Sequence, residues 1–327
     1  MSAVTIVGAG PAGASAAIAA RLAGADVTIF EKSRLPRHKV CGEFLSPEIA
    51  PVLERLGAFR AFQNAVPATL RRMELTFGSK QKCASLSEPA WGLSRFAFDR
   101  LLADRAIECG ATLVRETAPE NCSGPVVMAC GRRARQPRGS RLFGFKAHFT
   151  GPARDAVELF FFGRCYVGLG AIEDGRTNVC GIAPEDVLRH FDFQIDDLLR
   201  TSMPLAERLA PLDRAMPWLT TGPLIFGNRL DTPGPPNTWL CGDALSFVDP
   251  FTGSGLLAAC ATGALAGHAA STDISLDRHL TECRRLLARP FSASSLFRTL
   301  IGSGWAETLV NLVPGRWLYS LTRPRIA

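Results

Sequence analysis

Three glycines in the run Gly8-Ala9-Gly10-Pro11-Ala12-Gly13 have the spacing that lets a chain wrap a phosphate. Gly8 permits a tight turn, Gly10 lets the backbone approach a pyrophosphate, and Gly13 allows a helix to pack closely on a strand. A helix opening here offers free N–H groups and the positive end of its dipole to an anion. Glu31, 18 residues beyond Gly13 and followed by Lys32, falls where a carboxylate can accept hydrogen bonds from ribose hydroxyls and would repel a 2'-phosphate. The chemistry indicated is dinucleotide binding.

A second constellation runs from Trp239 to Gly255. A short apolar run leads to Gly242-Asp243, and Pro250, Gly253, Ser254 and Gly255 open a small-residue helix. The Asp243 carboxylate can take a ribityl or ribose hydroxyl, and a second helix N-terminus adds positive potential suited to a reduced, anionic ring.

The elements that must position these groups follow from periodicity. Val4 to Val7 reads as a buried strand, the alanine-rich stretch to Ala23 as a helix and Ala25 to Phe30 as the next strand, a βαβ unit. Pro47 to Leu56 and Phe98 to Cys109 have helical spacing; Arg71 to Phe77, Thr112 to Arg115 and Pro125 to Ala129 read as strands. From Leu142 to Ile182 the texture changes to four strand-like runs separated by turn signals, which predicts an antiparallel sheet. Pro184 to Phe191 and Asp196 to Ala210 read as helices, Thr238 to Cys241 as a strand and Gly255 to Ala270 as a helix. The expected fold is α/β: a Rossmann-type nucleotide domain (1–70, 92–140 and 223–270) interleaved with an antiparallel-sheet α+β substrate domain (71–91 and 141–222), then a C-terminal helical segment (271–327).

At 327 residues, 47% of them hydrophobic, the chain can bury a large core. Its net charge of +7 suits an anionic cofactor, a membrane surface or nucleic acid. The densest basic cluster, Arg132, Arg133, Arg135, Arg138 and Arg141, carries no aromatic ladder and reads as a solvated loop, so no nucleic-acid partner is expected. Ten cysteines without a CxxC pair and only five histidines argue against a metal site. With no leader before the first strand and no spanning run, the expected location is cytoplasmic, with peripheral membrane contact left open by the apolar stretch Trp305 to Leu321.

The two separated motifs resemble the FAD-dependent aromatic hydroxylase and geranylgeranyl reductase superfamily. Two further segments extend the likeness. Arg95-Phe-Ala-Phe-Asp99 resembles the superfamily's Arg…Phe-Asp segment, which implies that Arg95 lies near the flavin chain; the alternative is a surface ion pair. Lys39-Val-Cys41-Gly42-Glu43-Phe44 resembles the Cys-Gly segment beside the isoalloxazine in the geranylgeranyl reductase-like branch. It implies that Cys41 and Gly42 contact the cofactor, although a cysteine is often just a small buried hydrophobe. The hydroxylase Asp-Gly motif is replaced by Ala129-Cys130-Gly131-Arg132. The aromatic segment of lipid-reducing members is not intact at Cys165 to Leu169, and a halogenase Trp-x-Trp-x-Ile-Pro box is absent.

The resemblance implies FAD as cofactor, with NAD(P)H or a partner electron carrier as electron donor. The expected activity is reduction or dehydrogenation of a small hydrophobic unsaturated substrate by hydride transfer at flavin N5. The alternatives are a monooxygenase and a non-catalytic flavin-binding accessory protein. Cys41 and Glu43 are the candidate catalytic residues, as proton donors by position alone. The oligomeric state is open.

Overall fold

The computed structural model describes residues 3–132, 141–224, 227–228, 230, 234–247 and 253–287. Arg133, Arg135, Arg138, Pro250 and the apolar stretch Trp305 to Leu321 lie outside them.

The first unit is β1 (Ala3–Val7), α1 (Pro11–Leu22) and β2 (Asp26–Phe30), with β1 and β2 parallel from Ala3↔Asp26 to Val7↔Phe30. Ala14, Ala16, Ala17 and Ala20 are fully buried, which only small side chains would allow on a helix covered from more than one side. There follow β3 (Phe44–Leu45), α2 (Ile49–Arg55) and α3 (Phe59–Asn64), then β4 (Ala68–Phe77), β5 (Lys80–Gly92) and α4 (Arg95–Glu108). The Ser94 hydroxyl caps α4 by accepting from Ala97 N at 3.1 Å, so this helix starts three residues before its apolar pattern does.

Two short strands, β6 (Thr112–Val114) and β7 (Val126–Met128), precede β8 (Leu142–Thr150), β9 (Ala156–Phe162), β10 (Cys165–Ala171) and β11 (Thr177–Pro184), of which β9 to β11 form a meander and β8 pairs with β11. Next come α5 (Glu185–His190), α6 (Ile195–Arg200) and α7 (Met203–Leu209). The single helix expected over 196–210 is thus divided. Pro204, in the first turn of α7, has no N–H with which to continue a helix from α6. The remaining described elements are β12 (Asp213–Arg214), β13 (Leu219–Leu224), β14 (Gly227–Asn228), β15 (Thr238–Leu240), β16 (Ser246–Phe247) and α8 (Gly255–Ser271), with residues 276–287 also helical.

A parallel five-stranded sheet has the order β15-β7-β1-β2-β6. A larger sheet runs β12-β8-β11-β10-β9-β4-β5-β3, with β13 also on β8; it is antiparallel except where β4 meets β9. The chain therefore crosses to the second sheet with β3 to β5, returns for α4 to β7, leaves again for β8 to β13 and comes back with β15 and α8.

That return is tight. A Cβ on Gly263 would lie 2.1 Å from the Ala12 carbonyl oxygen, and one on Gly267 would lie 2.0 Å from that of Ala16. The backbones of α8 and α1 are in contact, and glycine is the only residue that permits it.

Candidate active site

The glycine loop is shaped as its sequence predicts. Gly8 has φ +102°, and a Cβ there would lie 2.6 Å from Ala129 O; a Cβ on Gly13 would lie 1.8 Å from Gly8 O. Gly10 precedes α1, where no side-chain cap or acidic residue occupies the first turn. The first-turn amides are thus left for an anion. The Lys39 ammonium lies 3.8 Å from the position a Gly10 Cβ would take, so a fixed positive charge faces the loop. Glu31 supports the loop from the other side: one oxygen accepts from Ala9 N at 3.0 Å and the other from Ser33 N at 2.8 Å. Each oxygen keeps a second lone pair for a ribose hydroxyl. Lys32 is exposed beside it.

Lys39 is held by Asp99, at 2.7 Å, and the same carboxylate takes Arg95 at 2.6 and 2.9 Å. Asp99 is buried. Burial alone would raise its pKa, but Arg95 and Lys39 outweigh that and hold the carboxyl below its ordinary value. Burial works in the same way against the charged form of Arg95, and Asp99 and then Cys41 reverse it. The ion pair given as the alternative for Arg95 is present, but it is not a surface one: it fixes a largely buried guanidinium beside Cys41.

Cys41, Gly42 and Glu43 form the hinge between the loop and β3. The Cys41 carbonyl accepts from Asn178 Nδ2 at 3.0 Å, and the Cys41 sulfur accepts from Glu43 N at 3.4 Å. No atom lies within 4 Å of a Cβ built on Gly42, so this peptide borders open space. Glu43 adopts φ 54° and is fully buried. Its carboxylate is bonded to the Lys146 ammonium, to His148 Nε2 at 2.7 Å and to Arg95 N at 2.6 Å.

Burial opposes ionisation of Glu43, but the His148 hydrogen bond and the Lys146 charge win, and its pKa is lowered. An acceptor-only carboxylate with three donors is a poor proton source. The expectation of Glu43 as proton donor therefore gives way to an anchoring role. Among the described residues, the Cys41 sulfur accepts from Glu43 N and lies beside Arg95.

Lys146, His148, Asn178 and Cys180 were not singled out from the sequence. They share one face of the second sheet, because Cys180 pairs with Lys146 and Asn178 with His148 across β11 and β8. The signal was present: Lys146 and His148 stand two apart in an otherwise apolar strand. Burial pushes the Cys180 thiol up, so it stays protonated.

The second motif closes the site. Gly242, at φ +55°, donates to Thr262 Oγ1 at 2.9 Å, and a Cβ there would lie 2.8 Å from that of Ala12. Asp243 is exposed, yet the protein around it raises its pKa by desolvation against the pull of Arg95, Arg132 and Lys39. A carboxylate that water reaches but protein surrounds marks the floor of a cleft. Arg132 lies over the Phe247 ring at 4.8 Å and donates to Thr221 Oγ1 at 2.9 Å, tying the first sheet to the second. Gly253 meets Phe44, 2.8 Å from the Cβ position, which brings Ser254, Gly255 and the uncapped N-terminus of α8 next to the Cys41–Glu43 segment.

The residues fit FAD. An uncapped helix start with a lysine facing it suits a pyrophosphate, Glu31 a ribose, and the cleft at Asp243, Arg95 and Gly42 a ribityl chain and ring.

Residues 1–123 match the sequence model for the FAD binding domain. The digeranylgeranylglycerophospholipid reductase 1 of Methanopyrus kandleri is 39% identical over 109 residues, 33% of this chain and 28% of that protein. A menaquinone reductase of Mycolicibacterium smegmatis is 48% identical over 54 residues, 16% of this chain and 13% of that protein. The matches thus span less than a third of the length of these curated relatives. Among solved structures, a triple mutant of the flavin-dependent brominase Bmp2 superposes with TM-score 0.78 at 18% identity, over 98% of this chain and 93% of that one. At that identity the likeness is one of fold.

Proposed function

We propose that this chain is an FAD-dependent oxidoreductase that reduces or dehydrogenates a small hydrophobic unsaturated molecule. The observation that carries the reading is the place of the Lys39–Phe44 segment: Lys39 faces the glycine loop at Gly10, Glu43 is bonded to Lys146 and His148 of the second sheet, and Phe44 meets Gly253 before α8.

Bound FAD would supply a hydride equivalent at N5. The chain's own residues do the rest. Gly8, Gly10, Gly13 and Lys39 would hold the pyrophosphate, Glu31 would take the adenosine ribose, and Arg95 and Asp243 would orient the ribityl chain. Gly42 would leave room for the ring, and the buried face of the second sheet would exclude water from the reacting atoms. The ionised Glu43 fixes this geometry through Lys146, His148 and the start of α4.

Both relatives are named as reductases, one of a digeranylgeranylglycerophospholipid and one of menaquinone, which supports the reductive direction and a hydrophobic substrate. The electron donor is NAD(P)H or a partner electron carrier. Among the described residues no helix is long and apolar enough to cross a membrane, and peripheral contact is the form of association proposed for a lipid-like substrate.

The test is to load the protein with FAD, reduce it without air and mix it with menaquinone, with a geranylgeranyl lipid and with oxygen. Reoxidation by either lipid, with a saturated product, supports the reading. A transient oxygen adduct with a hydroxylated or epoxidised product would replace it with a monooxygenase. Failure to bind FAD at all would sink both.

A further inference from the structure

His38 belongs to none of the motifs, yet it lies one residue from Lys39 and joins the buried charge cluster to the surface. Its ring stacks on Phe96, centroids 5.1 Å apart, and stands edge-on to His148 at 5.1 Å. Phe96 is exposed, whereas His148 is buried and bonded to Glu43. His38 itself is half-buried. Its Nδ1 is shielded from solvent and has no hydrogen-bond partner among the described residues. A shielded ring nitrogen without a partner can accept a proton without breaking a bond, and an orphan of this kind asks for an explanation.

Resting on the reading of the cleft as an FAD site, we propose that His38 is a redox-linked proton site, which takes up a proton when negative charge arrives in the cleft and releases it when that charge leaves. Two electrons entering the site with only one proton leave one net negative charge. His38, being only half-buried, answers it with a proton drawn from solvent, so that two electrons and two protons arrive together. On transfer of a hydride to substrate, the second proton is available from His38, which returns to its neutral form.

The surroundings set this balance. Four charged or titratable groups face His38: Lys146 and His148 on β8, Glu43 before β3, and Glu173 in the turn between β10 and β11. Burial is the main influence lowering its pKa; Lys146 and His148 lower it further, and Glu43 and Glu173 oppose them. The imidazole is therefore neutral at neutral pH, and an added negative charge in a poorly screened site is what would tip it. Glu173 is itself fixed by Ser94 N at 2.7 Å, so both opposing carboxylates are anchored at the start of α4.

The experiment is spectroelectrochemical titration of the FAD-loaded protein and of His38→Gln across the neutral pH range. The wild type is expected to take up two protons per two electrons above the pKa of the oxidised-state imidazole, and His38→Gln one. An equal proton count in the two proteins overturns the proposal. Imidazole resonances of the FAD-loaded wild type, recorded oxidised and after dithionite reduction, provide a readout that needs no variant: His38 must become protonated on reduction, and an unchanged ring overturns the proposal. Absence of FAD binding would defeat the cofactor reading itself, a result distinct from a silent His38 in a protein that binds FAD.

Discussion

His148 Nε2 lies 2.7 Å from one oxygen of Glu43 while Lys146 holds the other, so the loop before β3 is pinned to β8 of the second sheet by a fully buried carboxylate. With Glu43 ionised, the imidazole nitrogen facing it carries the proton.

Removing one member of this group leaves a buried charge without its counter-charge. Lys146→Met is expected to lower stability by about 3–5 kcal/mol. The double variant Glu43→Gln/Lys146→Met keeps an oxygen acceptor for Arg95 N and an amide N–H that can donate to the other tautomer of His148, with no unpaired charge, and should lose less than Lys146→Met alone. Urea unfolding of the three proteins checks this; a double variant as unstable as the single would refute the account.

Acid sensitivity follows from the same carboxylate and from Asp99, both of which have lowered pKa values in the fold. A depressed folded-state pKa contributes stability that is present above the unfolded value, about 4, and is lost as pH falls through the folded one. Unfolding midpoints are expected to hold steady down to about pH 5 and fall steeply below it. Asp99→Asn should give a shallower fall, and an unchanged slope would show that Asp99 is not linked.

The cation pair over the cleft can be separated by affinity. Lys39→Ala is expected to weaken FAD binding about 10-fold or more, as loss of a charge-assisted contact implies. Arg95→Lys should weaken it too, since an ammonium cannot span both Asp99 oxygens as the guanidinium does. Calorimetric titration with FAD measures both; wild-type affinity in Lys39→Ala would remove Lys39 from the phosphate site.

Two glycines predict opposite outcomes. Gly13→Ala puts a methyl group 1.8 Å from Gly8 O and is expected to yield no folded flavoprotein. Gly42→Ala meets nothing within 4 Å, so the protein should fold with near-normal stability but bind FAD more weakly. Thermal unfolding of the FAD-free proteins, followed by FAD titration, separates the two effects.

The parts of the site legible in the sequence are those built from local backbone demands. The Gly8–Gly13 turn, Glu31, Gly242-Asp243 and Gly253 to Gly255 are short-range patterns that can be read from adjacent residue types. The strands β9 and β10 were likewise readable end to end, because turn signals bracket them. What was not legible depends on pairing at a distance. Lys146 and His148 look like interruptions of an apolar strand until β8 is set against Glu43, roughly a hundred residues earlier. β5 is polar because β3 covers it only at Trp91 and Gly92; the part carrying Lys80, Lys82, Ser85, Ser87 and Glu88 has no outer neighbour among the described strands, and its polarity reads as loop. Asp99 reads as a solvated helix residue until Lys39 and Arg95 are brought to it.

The backbone contact between Gly263 or Gly267 and α1 bears on the order in which the protein can assemble. The βαβ unit is synthesised well before the surface that its second helical face needs, which follows some 240 residues later. Until then the alanine row of α1 lacks its cover, and the unit cannot settle as an autonomous foldon. Its cofactor cradle is accordingly completed only when α8 docks. An excised N-terminal segment would be a sticky fragment rather than a small nucleotide-binding protein, and nascent chains halted before α8 would be natural clients for chaperones.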